Sequence, residues 1–405
     1  MKVLIIGNGG RENALSWKIR QSPSVEHCQM VPAEPKEDLL ATALSGGYDL
    51  TVVGPEGPLN DGIVDLFKAR GLRVFGPSQA GAKLESSKVD AKIFMEKYGI
   101  KTAPYEVFDD FYASTAYLRR CRFPLVIKAD GLANGKGVVI CHTFEEGEKA
   151  LEDLMVRKQF NQSGERVIIE TFLEGFEASM LCITDGVRIK PFISAMDYKR
   201  AEDHNRGLNT GGMGAVAPNP FLTRSHLEVF EKEIMEKTLN GIKNEKIDYH
   251  GFLYFGLMVT AEDIFVLEYN VRLGDPETQA VLPLMKSDLV DVMLATLDEE
   301  LEHRSLAWLD KRSCCVVACS GGYPQTFQKH KKITGLERVE NNLFLSGVYQ
   351  KDGEYSTNAG RVLSINAVDD SLENARARCY KDLQNISFEG MYYRKDIGKI
   401  EEGGK

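Results

Sequence analysis

Residues 265–279 read FVLEYNVRLGDPETQ, and the rest of the chain is organised around this stretch. Its apolar beginning, residues 265–267, predicts a buried strand, in which successive side chains point to opposite faces. Glu268 and Asn270 therefore leave one face together, with Tyr269 on the other. Carboxylate and amide oxygens are ligands for Mg²⁺, which usually shares its coordination with substrate phosphates. The stretch thus predicts a metal site that serves a nucleotide, and the alternative is an edge strand with solvated charges.

Arg272 and the turn after it extend this charged face. We expect Arg272 to continue the strand alternation, where a guanidinium can steer a transferring phosphoryl group or a second anion. Residues 274–277, GDPE, predict a turn that adds two carboxylates at a rigid bend. Polar residues that interrupt an apolar strand are costly to bury without partners, which favours a binding role.

Length and composition restrict the class of protein. A chain of 405 residues is too long for one small core and predicts roughly two to four packed units. The apolar fraction of 43% is that of a globular protein, and a net charge of −9 argues against a nucleic-acid partner. No stretch approaches the roughly 20 apolar residues of a membrane span, so we expect a cytoplasmic protein without a membrane partner.

Cysteine and histidine patterns give no metal or disulfide signature. The eight cysteines show no CxxC spacing, and Cys182, Cys315 and Cys319 lie in apolar runs typical of reduced, buried thiols. The seven histidines form no HxxxH or HExxH pair. Zinc and histidine-based metal chemistry are therefore not predicted.

The N-terminal part has the pattern of a parallel α/β layer. Residues 2–6, KVLII, predict a strand, and the loop 7–11, GNGGR, opens a helix where backbone N–H groups can approach an anion. Glu12 takes the place of the third glycine of G-x-G-x-x-G, so an NAD site is not expected. A phosphate site for a smaller ligand and a merely tight turn both remain open. Strands at 50–53 and 72–75 run into Gly-Pro turns, and ligands of parallel sheets gather at such carboxyl ends.

A second unit begins near residues 86–88 with a helix over 89–98. Two strands, 124–129 and 138–140, flank the glycine-rich loop DGLANGKG, and this arrangement predicts a hairpin lid over phosphates. A P-loop would instead lead into a helix. Lys128, in the apolar strand, needs an anion. Lys136, in the loop, is either a phosphate contact or a solvated tip.

Later segments give weaker signals. Residues 166–170 predict a strand whose end can hydrogen-bond an adenine edge, with a later carboxylate near the ribose. Residues 207–215, GLNTGGMGA, follow Lys199 and Arg200 and suit a second anionic or zwitterionic substrate, or form an ordinary flexible loop. From about residue 300 we expect a packing and substrate-closing domain without a catalytic cluster. Shorter strands are predicted at 313–319, 343–349 and 360–368, followed by a helix at 372–383.

These motifs resemble those of the ATP-grasp ligases and, among them, the phosphoribosylamine-glycine ligase family. The resemblance rests on VLIIGNGGREN, VVGPEGPL, FGPSQAGAKLESSK, KADGLANGKGVV, NTGGMGA, GFLYFGLM, LEYNVRLGDPETQ, SGGYP and GMYYRKDIG. It implies an α/β and α+β multidomain fold, with an N-terminal parallel α/β domain at 1–87 and an ATP-grasp domain at 88–297. It also implies a lid subdomain at about 107–175 and a small β-rich C-terminal domain at 298–405.

The resemblance further implies an activity in purine biosynthesis. Glycine would attack the γ-phosphate of MgATP to give a glycyl phosphate, and phosphoribosylamine would displace phosphate to form glycinamide ribonucleotide. Positioning and charge stabilisation would carry the catalysis. The protein would act as a monomer or weak homodimer on these small molecules.

The family's functional positions fall on several groups of residues. Catalysis would involve Lys128, Arg272 and Asp275. ATP would contact Lys88, Lys128, Lys136, Glu170, Thr171, Leu173 and Glu177. Mg²⁺ or Mn²⁺ would be held by Glu268 and Asn270. The glycine region would comprise Asp197, Lys199, Arg200, Asn209, Thr210, Gly211, Gly212, Arg272, Pro276 and Glu277. Phosphoribosylamine would contact Gly9, Gly10, Arg11, Glu12, Gly54, Pro55 and Glu56.

The chain departs from the family pattern at three places. Asn13 replaces the histidine of GNGGREH, VPAEPK at 31–36 replaces a PGNAGT-like segment, and Tyr198 replaces the histidine of DHKR. The first two lie on the side expected to bind the amine. Two alternatives therefore remain open: a paralogous ATP-grasp ligase that joins a small carboxylate to a different amine, and a nucleotide sensor without turnover.

Overall fold

A computed structural model describes residues 1–132, 137–157 and 164–400 of the chain. The strands are β1 Lys2–Ile6, β2 His27–Val31, β3 Leu50–Val53, β4 Val74–Pro77, β5 Tyr105–Phe108, β6 Leu125–Ala129, β7 Val138–Cys141, β8 Val167–Thr171, β9 Phe176–Thr184, β10 Ile189–Pro191, β11 Met196–Asp197, β12 Arg200–Glu202, β13 Arg206–Asn209, β14 Gly214–Ala217, β15 Tyr249–Val259, β16 Ile264–Asn270, β17 Arg312–Cys319, β18 Lys332–Ile333, β19 Asn342–Leu345, β20 Val348–Lys351, β21 Glu354–Thr357 and β22 Arg361–Asp369.

The α-helices are α1 Gly10–Ile19, α2 Lys36–Gly46, α3 Glu56–Asn60, α4 Ile63–Lys68, α5 Gln79–Ser86, α6 Lys88–Lys97, α7 Phe111–Leu118, α8 Phe144–Leu151, α9 Arg224–Val229, α10 Glu236–Asn244, α11 Glu277–Val281, α12 Leu289–Leu297 and α13 Leu372–Leu383. Helix α8 continues into a π-helical segment, Glu152–Val156, and a second one, Phe230–Met235, joins α9 to α10.

The N-terminal part is the parallel α/β layer that the sequence predicts. Its strands run in the order β4-β3-β1-β2. Strands β3 and β4 are buried along their whole length, as expected when a parallel sheet is covered on both faces. Strand β2 and helix α2 were not predicted from the sequence. Strand β2 is half exposed and lacks a continuous apolar run.

The hairpin predicted at 124–140 is also confirmed, whereas its role as a lid remains a prediction. Strands β6 and β7 pair antiparallel, from Leu125 opposite Cys141 to Lys128 opposite Val138, in a sheet of order β5-β8-β6-β7. Most of the loop that joins them, with Lys136, lies outside the described residues. Helix α6 precedes this sheet and begins at Lys88, because the Ser87 hydroxyl caps it by accepting the N–H of Asp90 at 3.1 Å.

Strand β16 presents its polar residues as the alternation predicts. Tyr269 points into the core, where its ring packs edge-on against Phe255 and its hydroxyl bonds Thr238 at 2.9 Å. The opposite face therefore carries Glu268 and Asn270. The pairing with β15 slips by one residue beside Leu267, and this bulge leaves the Leu267 carbonyl to accept the Lys128 ammonium at 3.2 Å.

Two local predictions are wrong. Arg272 does not continue the strand alternation, because β16 ends at Asn270 and the chain turns there. The apolar run 343–349 is not one strand, since β19 ends at Leu345 and β20 begins at Val348. The predicted helix 372–383 is confirmed as α13.

Sheet pairing connects the parts of the chain. Tyr249 of β15 pairs with Pro77 of β4, so the N-terminal sheet continues into the central antiparallel sheet β10-β9-β15, which β16 joins. Strand β14 pairs with β17 in the C-terminal sheet β11-β14-β17-β22-β19. Both pairings cross the predicted domain boundaries at 87 and 297, which remain predictions. Among the described helices, none is long and apolar enough to span a membrane.

Candidate active site

Four cationic side chains act electrostatically on the carboxylate of Glu268. Burial alone would raise the pKa of Glu268, but the charges of Lys199, Lys128, Lys88 and Arg272 hold it below its ordinary value. In the part of the chain that the structure describes, no cation lies within ion-pair distance of its carboxylate. An ionised carboxylate surrounded by several cations is suited to a divalent metal bound together with a polyphosphate.

The metal would rely on few protein ligands. Within the described ranges, no group of three or more His, Cys, Asp or Glu residues is placed to hold an ion. Glu268 and the buried Asn270 on the same strand face fit Mg²⁺ or Mn²⁺ only if water and phosphate oxygens complete the coordination sphere. This donor set fits the nucleotide-linked metal that the sequence predicts.

Lys128 is held by Glu170, which also binds a second lysine. The Glu170 carboxylate lies 2.8 Å from the Lys128 ammonium and 2.9 Å from that of Lys92. Lys92 also donates to the Thr102 hydroxyl at 2.6 Å. Burial lowers the pKa of Lys92 to about 8, against the opposing charge of Glu170. Sequence reasoning missed Lys92, although it follows Lys88 by four residues and so shares its helix face.

These contacts restrict how the end of β8, predicted to hydrogen-bond an adenine edge, can bind a base. The Glu170 side chain is occupied by lysines, and Glu170 pairs with Tyr105 and Val126 in the neighbouring strands. The Thr171 N–H donates to the Pro104 carbonyl at 3.0 Å and is already used. Leu173, between β8 and β9, lies outside the strand pairing and is the better candidate for a backbone contact.

Lys88 lies at the entrance of the lid loop. Its backbone N–H donates to the Asp130 carbonyl at 3.0 Å, and its ammonium donates to Gly131 at 3.2 Å. Burial lowers the pKa of Lys88, partly offset by the carboxylate of Glu268. Asp130 is itself fixed by Arg166, at 2.6 Å. The start of the lid is thus tied to the helix that carries Lys88.

Lys199 lies between the predicted ribose contact and the metal site. Its ammonium bonds the carboxylate of Glu177. Burial opposes the charge of Lys199, but Glu177, Tyr254 and Glu268 raise its pKa well above the ordinary value. The pairing means that a ribose must share Glu177 with Lys199. Arg200 is not brought into this group, since its guanidinium donates to the Gly207 carbonyl at 3.0 Å within the small β12-β13 hairpin.

Arg272 is clamped between two carboxylates. Its Nη2 lies 2.9 Å from Glu85 and its Nε 3.3 Å from Glu56. Glu85 also accepts the N–H of Val271 at 2.8 Å. Burial raises the pKa of Glu85 to about 7, although Arg272 opposes this shift. Sequence reasoning missed Glu85, which lies in the last turn of helix α5.

Asp197 and Glu277 are neighbouring acidic residues, and we call them the acidic pocket. Glu277 accepts the Ser179 hydroxyl at 3.1 Å, whereas Oδ1 of Asp197 is buried and accepts no hydrogen bond from the described residues. Burial and the charge of Glu277 raise the pKa of Asp197 well above its ordinary value. A cationic ligand would relieve both effects, so the pocket fits an ammonium group.

Close backbone approach shapes this pocket. A Cβ on Gly212 would lie 2.9 Å from Oδ1 of Asp197 and would collide with the Pro276 ring. A Cβ on Gly274 would lie 2.5 Å from Oε2 of Glu277. The glycine-rich loop, with its predicted residues Asn209, Thr210, Gly211 and Gly212, is therefore packed against the 274–277 turn.

Asp275 connects this turn to both ends of the chain. Its carboxylate accepts Gln279 at 2.7 Å and the backbone N–H of Arg11 at 3.4 Å. Burial alone would raise the pKa of Asp275, but Arg361 and Arg11 hold it below its ordinary value. Arg361 belongs to the C-terminal part, for which the sequence predicts no site residue. It has no local sequence signal beyond its position at the start of a strand.

The N-terminal loop is organised by Glu12. Its carboxylate accepts the Gly9 N–H at 2.8 Å and the Arg11 guanidinium at 2.6 Å. The side chain fills the space in which a Cβ on Gly54 would lie, so the loops after β1 and β3 interlock. Pro55 lies against Gly7, Gly10 lies beside Asp275, and Glu56 reaches Arg272. The predicted amine contacts are thus grouped beside the predicted phosphate and carboxylate contacts.

Asn13, where the family pattern has histidine, contacts the C-terminal part. Its Oδ1 accepts the Leu345 N–H at 3.4 Å. One helical turn further, Trp17 packs edge-on against Phe344, with the ring centroids 5.9 Å apart. The altered residue therefore supports the docking of β19 on helix α1.

Comparisons with known proteins agree with this architecture. Family models of phosphoribosylglycinamide synthetase match the chain with their N domain at residues 1–85, their ATP-grasp (A) domain at 86–278 and their C domain at 313–400. The phosphoribosylamine–glycine ligase of Clostridium acetobutylicum is 49% identical over 414 residues, which cover 98% of this chain and 100% of the relative.

Solved structures give the same result. The crystal structure of the phosphoribosylamine–glycine ligase from Thermotoga maritima matches with a TM-score of 0.86 and 35% identity, covering 98% of this chain and 100% of that chain. The biotin carboxylase domain of the Hydrogenobacter thermophilus 2-oxoglutarate carboxylase, in complex with MgADP, ADP and bicarbonate, matches with a TM-score of 0.71 and 15% identity, covering 96% and 91% of the two chains. At that identity the second likeness concerns the fold alone.

Proposed function

The chain belongs to the phosphoribosylamine–glycine ligases, ATP-grasp enzymes of purine biosynthesis, and on this premise we propose how its residues divide the reaction among them. The observation that carries the proposal is the ionised Glu268, surrounded by cations from separate elements of the fold. Lys88 and Lys128 contact the phosphates of ATP. The predicted contacts Leu173 and Glu177 receive the adenosine end of the nucleotide.

The metal role falls to Glu268 and Asn270. A bound Mg²⁺ or Mn²⁺ would neutralise and orient the phosphates during transfer. The chain's own contribution is the rigidity of β16, since Tyr269 is locked in the core between the two ligands.

Glycine occupies the acidic pocket. Its ammonium group lies against Asp197 and Glu277, where Oδ1 of Asp197 accepts no hydrogen bond from the described residues and needs a donor. Its carboxylate points towards Arg272 and the γ-phosphate. A carboxylate oxygen attacks the γ-phosphorus, the bond to the β-phosphate oxygen breaks, and ADP leaves with glycyl phosphate formed. Because the reaction needs no enzyme nucleophile, catalysis rests on orientation and charge.

Phosphoribosylamine enters beside the N-terminal loop. Gly9, Gly10, Arg11 and the residues after β3 border this region, and Asp275 connects it to the glycine pocket through the N–H of Arg11. The amine nitrogen attacks the acyl carbon of glycyl phosphate, the bond to the phosphate oxygen breaks, and the nitrogen loses a proton. Closure of the lid over the site would keep water from hydrolysing the acyl phosphate.

Further features of the enzyme are also proposals. We propose that it acts in the cytoplasm, where small-molecule purine precursors are made, as a monomer or weak homodimer. We retain the division of the chain at residues 87 and 297. Light scattering of the purified protein at several concentrations tests the oligomeric state, and limited proteolysis tests the boundaries.

The decisive experiment measures ADP release with glycine and freshly generated phosphoribosylamine, alongside a panel of other carboxylates and amines. We expect turnover with the glycine and phosphoribosylamine pair. Turnover only with another amine would indicate a paralogous ligase. The replacement of the family's histidine by Asn13 would then bear on the choice of amine. Nucleotide binding without turnover of any pair would indicate a sensor and would overturn the proposal.

A further inference from the structure

Arg361, the first residue of β22, reaches from the C-terminal sheet into the active site. Its Nη1 donates to the Gly211 carbonyl at 2.6 Å and to the Asp275 carbonyl at 2.7 Å. The same nitrogen lies 3.3 Å from Oδ1 of Asp275. One guanidinium nitrogen thus joins the glycine-rich loop to the turn that follows β16.

A second C-terminal residue supports the same loop. The Gly211 N–H donates to the Tyr323 hydroxyl at 2.9 Å, so the C-terminal part binds both the N–H and the carbonyl of this residue. A Cβ on Gly211 would lie 3.1 Å from the Arg361 guanidinium carbon. The arginine therefore packs directly on the loop backbone, and its place sets where the next residue, Gly212, lies.

The two segments joined by Arg361 form the walls of the acidic pocket. Gly212 approaches Asp197, and the turn that carries Asp275 leads directly into Glu277. The distance between the loop and the turn fixes the distance between the two pocket carboxylates and the ligand. Arg361 also compensates the charge of Asp275, whose carboxylate accepts Gln279 and the N–H of Arg11.

We propose that Arg361 is a positioning residue through which the C-terminal domain completes the glycine subsite. This inference rests on the proposed placement of glycine between Asp197 and Glu277. Arg361 acts through Gly211 and Asp275, and among the described residues its hydrogen bonds and ion pair go to these two residues and not to Glu268 or Lys128. Its loss therefore affects glycine and ATP unequally.

The test compares steady-state kinetics of the full-length wild type, Arg361→Ala, Arg361→Lys and Arg378→Ala. Arg378 is the matched control, since it is an exposed arginine of the same C-terminal part that pairs with Asp369 on the surface. Removing a donor from two carbonyls predicts that Arg361→Ala raises the KM for glycine about tenfold or more, while the KM for ATP changes less than about threefold. Arg361→Lys keeps one donor group and recovers part of the loss. Arg378→Ala behaves as the wild type.

Several results would overturn the inference. One is an unchanged KM for glycine in Arg361→Ala, and another is an equal rise in the KM of both substrates. If Arg361→Ala does not fold, as judged by circular dichroism, Arg361→Met decides, because it keeps a long side chain without a donor: a folded methionine variant with wild-type glycine kinetics refutes the role. A wild-type enzyme that binds ATP but does not use glycine refutes the proposed function itself, and this result is distinct because it appears before any substitution is made.

Discussion

The carboxylate of Glu85 lies 2.9 Å from Nη2 of Arg272, so a helix of the N-terminal layer fixes the arginine expected to guide the glycine carboxylate. Glu56 holds the other side of the guanidinium at 3.3 Å. Arg272 is therefore oriented before any substrate arrives. Preorganised charge of this kind costs no reorganisation during the reaction.

The Glu85→Gln variant tests how this clamp titrates. Because the pKa of Glu85 rises to about 7 in the folded protein, the native state retains a proton that the unfolded chain loses near pH 4.5. The stability that Glu85 contributes is fully present below pH 4.5 and is lost as the pH rises through 7. We expect Glu85→Gln to remove this decline. The unfolding free energy of the variant should therefore rise relative to that of the wild type between pH 5 and pH 8.

Urea denaturation at several pH values measures the effect. Glu96→Gln, an exposed substitution on helix α6, is the control and should follow the wild-type profile. Parallel profiles for the wild type and Glu85→Gln would mean that Glu85 does not titrate in this range.

The Lys92→Met variant tests the support of Lys128. Lys92 and Lys128 share the carboxylate of Glu170, so removing Lys92 leaves Glu170 free to pull Lys128 away from the phosphates. We expect the KM for ATP to rise about tenfold, the effect of losing a charge-assisted contact, with a smaller change in the KM for glycine.

Lys97→Met is the matched control, since Lys97 lies on the same helix but bonds Glu245 at the surface. It should keep the wild-type KM for ATP. A Lys92→Met enzyme with normal ATP kinetics would show that Lys128 needs no second lysine behind Glu170.

The Glu268→Gln variant tests the metal assignment. The amide keeps the shape of the side chain but removes the charge that balances the surrounding lysines, so turnover should fall by about a thousandfold or more. The fold should persist, because in the described structure Glu268 forms no ion pair. ADP release and circular dichroism measure both effects, with Glu262→Gln in the preceding turn as the control. Near-normal ADP release would refute the assignment.

The part of the site that sequence predicts well lies on regular elements. The face shared by Glu268 and Asn270 follows from the alternation of β16, and the buried Lys128 follows from the apolar strand around it. Both are local patterns of a few residues. The β6-β7 hairpin and helix α13 were predictable for the same reason.

The part that sequence reasoning missed depends on contacts between distant segments. Glu85 and Arg361 acquire their roles only because packing brings them to Arg272 and Asp275, far away in the chain. Nothing in their immediate sequence distinguishes them from surface residues. Lys92 is the exception, since its spacing from Lys88 on one helix face was available in advance.

Gly212→Ala tests the close packing of the glycine pocket. Gly212 has a φ of +113°, and a Cβ there would collide with the Pro276 ring and lie 2.9 Å from Oδ1 of Asp197. Gly47→Ala provides the control for backbone strain alone. Gly47 also has a positive φ, +60°, but a Cβ there meets no atom within 4 Å.

Both alanine variants should lose about 1 kcal/mol of stability or more from the unfavourable backbone conformation. Only Gly212→Ala should also raise the KM for glycine, because the methyl group must displace the turn that carries Glu277 or the side chain of Asp197. Thermal unfolding and steady-state kinetics separate the two effects. If Gly47→Ala and Gly212→Ala keep the same KM for glycine, the packing of Gly212 against Pro276 does not define the glycine subsite, and the pocket must tolerate a shift of the loop.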